Sequence, residues 1–381
     1  MASRLAGVKE LYENRIRRAE DLRLSGSKII GYLCCFPPIE LMTAIDLVPC
    51  RITGDIKEQV TRGDAYLETL MCPYIRSCFD LAVKGKYDFL DGLVVPHSCD
   101  SVQRIYDIWK YYAKPAYSHF IDVPHMTHTA SIEFFKRELE RFKQSLERYA
   151  QKEISPENLV QAIHLHNENR ALLRELYRFR RHNPPLLSGV EATQILIAGM
   201  TLPAREYHEL LKSIIPEVAA RKELPGEEKP RILIYGSEID DTGFIELIEQ
   251  CGADIVMDDL CTGTRQFWHD VELGDDPLEA LACHYLMKIP CPRTYKPRTG
   301  THAEDLENRF GYLKEYATEF KVEGVILYII RFCDTHGFDV PDVKDYFEAM
   351  GLPILYLEED YAITAPERLR TQVRTFIDLI G

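Results

Sequence analysis

Short apolar runs bounded by turn residues recur along the chain and alternate with stretches of helical periodicity. The runs at 28–33 (KIIGYL), 47–52, 92–96 (GLVVP) and 117–123 predict four buried strands. Unbroken aliphatic residues, rather than alternation, mark a strand covered on both faces. Between them the pattern turns helical. Pro38 and Glu40 open a helix over 39–45, Pro73 starts another carrying Tyr74, Cys78, Leu81 and Ala82 on one face, and a third runs from Asp100 to about Tyr112. The same order then recurs, with strands predicted at 231–235 (RILIY), 254–260 (DIVMDDL), 324–330 (GVILYII) and 353–357. Helices are predicted at 243–250, 277–287 and 304–320, and Gly252 follows the first of these as a helix-ending residue. Strands that alternate with helices argue for parallel sheets joined by crossovers. The fold class is therefore α/β: two similar lobes with parallel sheets and flanking helices, plus a helical segment between them. The expected divisions are an N-terminal lobe with a leading helix over 1–130, a helical segment over 131–228 interrupted by Pro184, Pro185 and Pro203, and a C-terminal lobe over 229–381. The stretch 224–230 (LPGEEKP) reads as a linker.

Composition fits this picture and narrows the function. The chain has 381 residues, 46% hydrophobic and 28% charged, too many for one ordinary core. No apolar run approaches the roughly 20 residues of a membrane span. Residues 1–20 are studded with Arg, Lys and Glu and lack the apolar stretch of a secretory signal. A cytoplasmic protein with no membrane partner is expected. The net charge of −14 repels phosphates, so no nucleic acid partner is expected either.

The eleven cysteines change the picture most. An odd number in a cytoplasmic chain makes a poor disulfide framework. Cys34, Cys99, Cys261 and Cys333 each fall just past a predicted strand, and Cys72 and Cys291 sit in loops beside prolines. Ligands bind at the carboxyl ends of strands in open parallel sheets. Two facing lobes would present six thiolates to one cleft, three from each. Cys251 and Cys283 lie on predicted helices and Cys50 inside a strand, where a thiol packs as a small apolar group. Thiolate clusters select zinc or iron–sulfur centres. Structural zinc usually comes with paired C-x-x-C ligands, and the chain has no C-x-x-C and no H-E-x-x-H. Ligands spread over the whole chain suit an iron–sulfur cofactor clamped between lobes. There is no G-x-x-x-x-G-K-[ST] phosphate loop, and no G-x-G-x-x-G after the first strand of either lobe.

At GYLCCFPPIEL (31–41), MCPYIRSC (71–78), DFLDGLVVPHSCDS (88–101), DDLCTGTRQF (258–267), IPCPR (289–293) and GVILYIIRFCD (324–334), the chain resembles the 2-hydroxyacyl-CoA dehydratase / benzoyl-CoA reductase superfamily, and within it the double-cubane cluster proteins. The resemblance runs over nearly the whole chain. It implies that Cys72, Cys99 and Cys333 match the three ligands of a single cubane in the dehydratases. With Cys34, Cys261 and Cys291 they match the six ligands of an eight-iron, nine-sulfide double cubane. It further implies a homodimer, a small-molecule substrate, reduction at low potential, and electrons from a separate ATP-hydrolysing iron–sulfur reductase. The alternative is a dehydratase subunit with one [4Fe–4S] cubane. Cys35 and Cys78 are near neighbours of matched positions. His97, two residues before Cys99, is a candidate proton donor, as is Glu40, which also suits a helix first turn. Arg265 and Arg331 flank cysteines and are candidates to tune the cluster through their charge.

Overall fold

The computed structural model describes residues 3–221, 228–298, 300–362 and 366–381. The expected linker at 224–230 lies, up to residue 227, outside the described residues. Among the described residues, eight strands form two parallel sheets of four. The first holds β1 (Lys28–Tyr32), β2 (Leu47–Arg51), β3 (Gly92–Pro96) and β4 (Tyr117–Ile121), in the order β2-β1-β3-β4. The second holds β5 (Arg231–Gly236), β6 (Asp254–Asp259), β7 (Gly324–Ile330) and β8 (Ile354–Glu359), in the order β6-β5-β7-β8. The two orders are the same, and the register repeats: Ile30 pairs with Gly92 as Ile232 pairs with Gly324. The α/β class with two lobes is thus observed. β2, β3, β5 and β7 are buried along their whole length, as their apolar runs require.

Helices cover the sheets and tie them together. The helix Thr129–Ala150 lays Phe135, Leu139, Phe142 and Leu146 against Ile30, Val94 and Tyr117 of the first sheet. Helices Gly189–Gly199 and Ala204–Ala219 pack with Leu233, Val256, Val325 and Leu327 of the second sheet. The leading stretch forms two helices, Arg4–Glu13 and Arg15–Leu24, that meet at Asn14. Its first helix packs differently from the expected N-terminal lobe: Leu5, Val8 and Tyr12 join the second sheet's core through the helices over 189–219. A second crossing runs the other way. Val271, Ala280, Leu281, Tyr285 and Ile289 bury into the first lobe's core beside Phe135 and Phe142. Thereafter Arg293 Nη1 and Nη2 donate to the carbonyls of Pro124 and Val123, both at 2.8 Å, and Tyr295 N donates to His125 O at 2.7 Å. Each lobe therefore borrows chain from the other half.

The sheets meet at their carboxyl ends. Arg51, the last residue of β2, donates through Nη2 to both oxygens of Glu238, just past β5, at 2.7 and 3.0 Å. Asp240 accepts from Gly54 N at 3.0 Å and from Tyr361 OH at 2.7 Å, which joins the two halves again.

Candidate metal centre

Three of the six singled-out cysteines occupy the same local position. Cys72, Cys99 and Cys333 directly precede the helices Pro73–Val83, Asp100–Ala113 and Asp334–Ala349. A helix start exposes N–H groups without intrahelical partners and carries partial positive charge, so it favours an anion. Burial pushes the Cys72 thiol up to about 12, with a further push from Cys333, against the pull of the Ile75 and Tyr74 amides. Cys99 is raised by burial and then by Cys333, with smaller pushes from Cys72 and Cys34, and the Val102 amide opposes. These mutual effects make Cys72, Cys99 and Cys333 one trio.

The other three stand in loops. Cys34 sits past β1 at φ 64°, a left-handed conformation uncommon for a residue with a side chain. Arg51 Nη1 donates to the Cys34 carbonyl and so fixes that turn. Cys261 follows β6 by two residues, and its N donates to Ser237 O at 3.2 Å. Cys291 lies between Pro290 and Pro292 in the segment docked on the first lobe. The Cys34 thiol is lowered, chiefly by a hydrogen bond from Cys35 and, against burial, by Arg51. Burial raises Cys261, Arg265 eases it, and Cys291 and Cys34 add to the rise. Burial pushes Cys291 up to about 12, eased by Arg265 and raised by Cys34. Cys34, Cys261 and Cys291 thus form a second trio, linked to the first where Cys34 acts on Cys99.

Three thiols per lobe was the expectation by sequence position. The folded chain divides them otherwise, because the Cys291 segment crosses to the first lobe. Cys35 is buried beside the second trio, raised by its bond to Cys34 and by burial. Cys78 lies on the helix Pro73–Val83, raised by burial and then by Asp240. Cys50 is buried in β2, Cys251 follows the helix Gly243–Gln250, and Cys283 ends the helix Pro277–Cys283.

Arg265 reaches the centre. Its Nε and Nη2 clamp Asp259 at 2.9 and 3.0 Å, and Nη1 lies 3.5 Å from Cys261 Sγ. Arg331 does not reach it: its side chain is about half exposed and faces Asp360 at 3.7 Å. The reason is local, since Arg331 follows β7 with its N bonded to Glu359 O, and the chain turns into the Cys333 helix behind it. His97 holds Asp122 Oδ1 through Nδ1 at 2.9 Å, and its ring lies edge-on to His125 with centroids 5.1 Å apart. Glu40 is fully buried, accepting from Arg170 at 2.5 Å and Tyr285 OH at 2.7 Å. Burial would raise its carboxyl, but Arg170 overrides this and holds it near 2, so at neutral pH it is a carboxylate that accepts hydrogen bonds.

Sequence reasoning missed Arg51, Arg293, Glu238 and His336. Arg51 closes an otherwise apolar strand, Arg293 stands two residues past Cys291, and His336 stands three past Cys333. Those spacings were the available signals. Among the described residues, no group of three His, Cys, Asp or Glu side chains closes tightly enough to grip a single ion. Also among them, Ser98 Oγ, Arg51 Nε and Arg293 Nε are buried beside these cysteines without hydrogen-bond partners. No described helix is long and apolar enough to cross a membrane.

The family model of the 2-hydroxyglutaryl-CoA dehydratase D-component matches residues 34–380. The (R)-phenyllactyl-CoA dehydratase beta subunit of Clostridium sporogenes is 24% identical over 374 residues, covering 98% of this chain and 97% of its own. A benzoyl-CoA reductase component of Thauera aromatica, likewise one of several subunits, is 28% identical over 360 residues, 93% of this chain and 91% of its own. The beta subunit of the (R)-2-hydroxyglutaryl-CoA dehydratase of Acidaminococcus fermentans is 24% identical over 360 residues, 93% of each chain. These relatives are named as subunits of dehydratases and of a reductase.

Proposed function

Since the chain belongs to the 2-hydroxyglutaryl-CoA dehydratase D-component family, whose named relatives are enzyme subunits, we propose that it is an iron–sulfur oxidoreductase component that reduces a small molecule at low potential. Its six cysteines would hold an eight-iron, nine-sulfide double cubane, one trio to each cubane. The observation that carries this reading is the sorting of Cys72, Cys99 and Cys333 from Cys34, Cys261 and Cys291 at the converging strand ends. Ligands of a cubane sit on separate irons, so they stand further apart than the ligands of one ion.

The surroundings fit such a group. Ser98 Oγ, Arg51 Nε and Arg293 Nε are buried donors with nothing to donate to, and sulfide or thiolate sulfur would accept from them. Three helix starts and the guanidiniums of Arg51, Arg265 and Arg293 offset the negative charge that six thiolates bring. When bound, the cluster supplies low-potential electrons. The chain's residues hold it, exclude water and deliver protons. His97, oriented by Asp122, is the proton donor in this reading, and Glu40 stays ionised as a structural partner of Arg170. Electrons would come from a separate ATP-hydrolysing iron–sulfur reductase, in keeping with the absent phosphate loop. The working form would be a cytoplasmic homodimer, in a compartment that keeps thiols reduced.

A second reading is a dehydratase subunit with a single [4Fe–4S] cubane on Cys72, Cys99 and Cys333. The dehydratase names of two relatives favour it, and so do the three matching helix starts. Anaerobic purification with iron and acid-labile sulfide analysis separates the two. About eight irons per chain are expected for the first reading and about four for the second. ATP-dependent turnover by the chain without any added reductase would sink the partner assignment.

A further inference from the structure

His336 is buried, lies outside both trios, and touches both of them. Its Nε2 is 2.8 Å from Arg265 Nη1, and its Nδ1 is 3.3 Å from Cys333 Sγ. Arg265 Nη1 is in turn 3.5 Å from Cys261 Sγ. A continuous polar path therefore runs Cys261–Arg265–His336–Cys333, from one trio to the other. Arginine has only donors and does not lose its charge in proteins. The imidazole nitrogen that faces it at 2.8 Å must present a lone pair. That assigns the ring proton of the neutral imidazole to Nδ1, the nitrogen facing Cys333. A doubly protonated ring would set an N–H against the guanidinium, so the geometry holds His336 neutral. Arg265 is itself fixed by Asp259, which accepts from its Nε and Nη2 and also from Tyr312 OH at 2.8 Å.

We propose that His336 is a positioning residue that donates Nδ1–H to the Cys333 sulfur, raises the reduction potential of the cluster it helps hold, and joins the electrostatics of the two trios through Arg265. The proposal rests on the iron–sulfur reading above. The physical cause is simple. A donor on a ligand sulfur draws electron density away from the metal and stabilises the reduced, more negative state. Such a bond persists only if the donor is buried and cannot turn to water, and His336 is held by contacts at both ring nitrogens.

The test uses the anaerobically purified full chain, with iron and sulfide content measured beside a redox titration followed by electron paramagnetic resonance. His336→Leu keeps the ring's bulk without a donor, and His336→Asn places an amide N–H where Nδ1 stood. We expect His336→Leu to retain iron and shift the oxidised-to-reduced ratio at fixed potential about tenfold toward oxidised, which is ~59 mV for one electron. His336→Asn should recover most of that shift. A midpoint unchanged in a fully loaded His336→Leu chain overturns the proposal, as does an equal shift in both variants. If His336→Leu loses its iron, pulsed spectroscopy of the native chain with ¹⁵N-histidine decides. A weak ¹⁵N coupling that disappears in His336→Asn supports the bond, and its absence in the native chain overturns it. Iron-free native protein would remove the cluster reading itself and this proposal with it, and the iron assay reports that outcome separately.

Discussion

Cys72, Cys99 and Cys333 each stand at the first turn of a helix, whereas Cys34, Cys261 and Cys291 stand in loops among three buried arginines. The first trio is offset by backbone dipoles, which come with the fold and need no particular side chain. The second is offset by guanidiniums, each of which must be placed by its own bonds: Arg51 by Glu238, Arg265 by Asp259, Arg293 by two carbonyls. The first arrangement is thus open to any α/β lobe with a cysteine before a helix. The second depends on individual residues and is the more easily broken by substitution.

Removing ligands should expose that contrast most strongly. Cys34→Ser, Cys261→Ser or Cys291→Ser should lower iron from about eight toward about four per chain, with the first trio still loaded. Cys99→Ser should also lower iron, whereas Cys251→Ser and Cys283→Ser should leave it nearly intact. Iron unchanged by Cys261→Ser and Cys291→Ser would dissolve the second trio as a ligand set.

The arginines give the next test. Arg265→Met leaves Asp259 buried with its charge unpaired, and breaking such a pair costs about 3–5 kcal/mol. Arg331→Met removes only an exposed contact and should stay within about 0.5 kcal/mol. Urea unfolding of the metal-free chain measures both, and equal effects would mean that Arg265 holds nothing the surface arginine lacks.

The junction that sets one trio against the other should respond to pH. Burial, with the nearby Glu238 charge, pushes the Asp240 carboxyl up to about 7. Between the ordinary carboxylate range and that value the folded chain binds more protons than the unfolded one. Its stabilising contribution is therefore present at about pH 4 and is lost as pH rises through about 7, by up to about 3 kcal/mol. Asp240→Asn should flatten this slope while still accepting from Gly54 or Tyr361. Parallel unfolding curves for the two proteins at pH 5 and pH 8 would contradict it.

Strands were legible wherever an apolar run was bounded by a glycine and a turn, and β3 and β7 lie at the expected residues. β8 was placed at 353–357 but runs Ile354–Glu359, because Glu358 and Glu359 continue the ladder against Ile329 and Ile330 through their backbones. A backbone bond leaves no mark in a hydropathy pattern. At the centre, strand ends and prolines pointed to the six cysteines. Arg265 and Arg331 looked equivalent beside theirs, and only the path of the chain after β7 separates them. Arg51 was invisible because its partners, Cys34 and Glu238, come from a neighbouring strand and from the other half. Its value lies in a tertiary contact that no local window contains. The leading helix was assigned to the nearer lobe for the same reason, since Leu5, Val8 and Tyr12 find their neighbours some two hundred residues away.

The crossing of the Cys291 segment has a consequence for how the protein is made. One trio needs Cys72 and Cys99 together with Cys333, and the other needs Cys34 together with Cys261 and Cys291. A ribosome that has finished the first half has completed neither set, and Cys333 stands only 48 residues from the end of the 381-residue chain (381 − 333). Biosynthetic delivery of iron and sulfide must therefore wait until synthesis is nearly over, and a truncated product carries no partial cofactor to release into the cell.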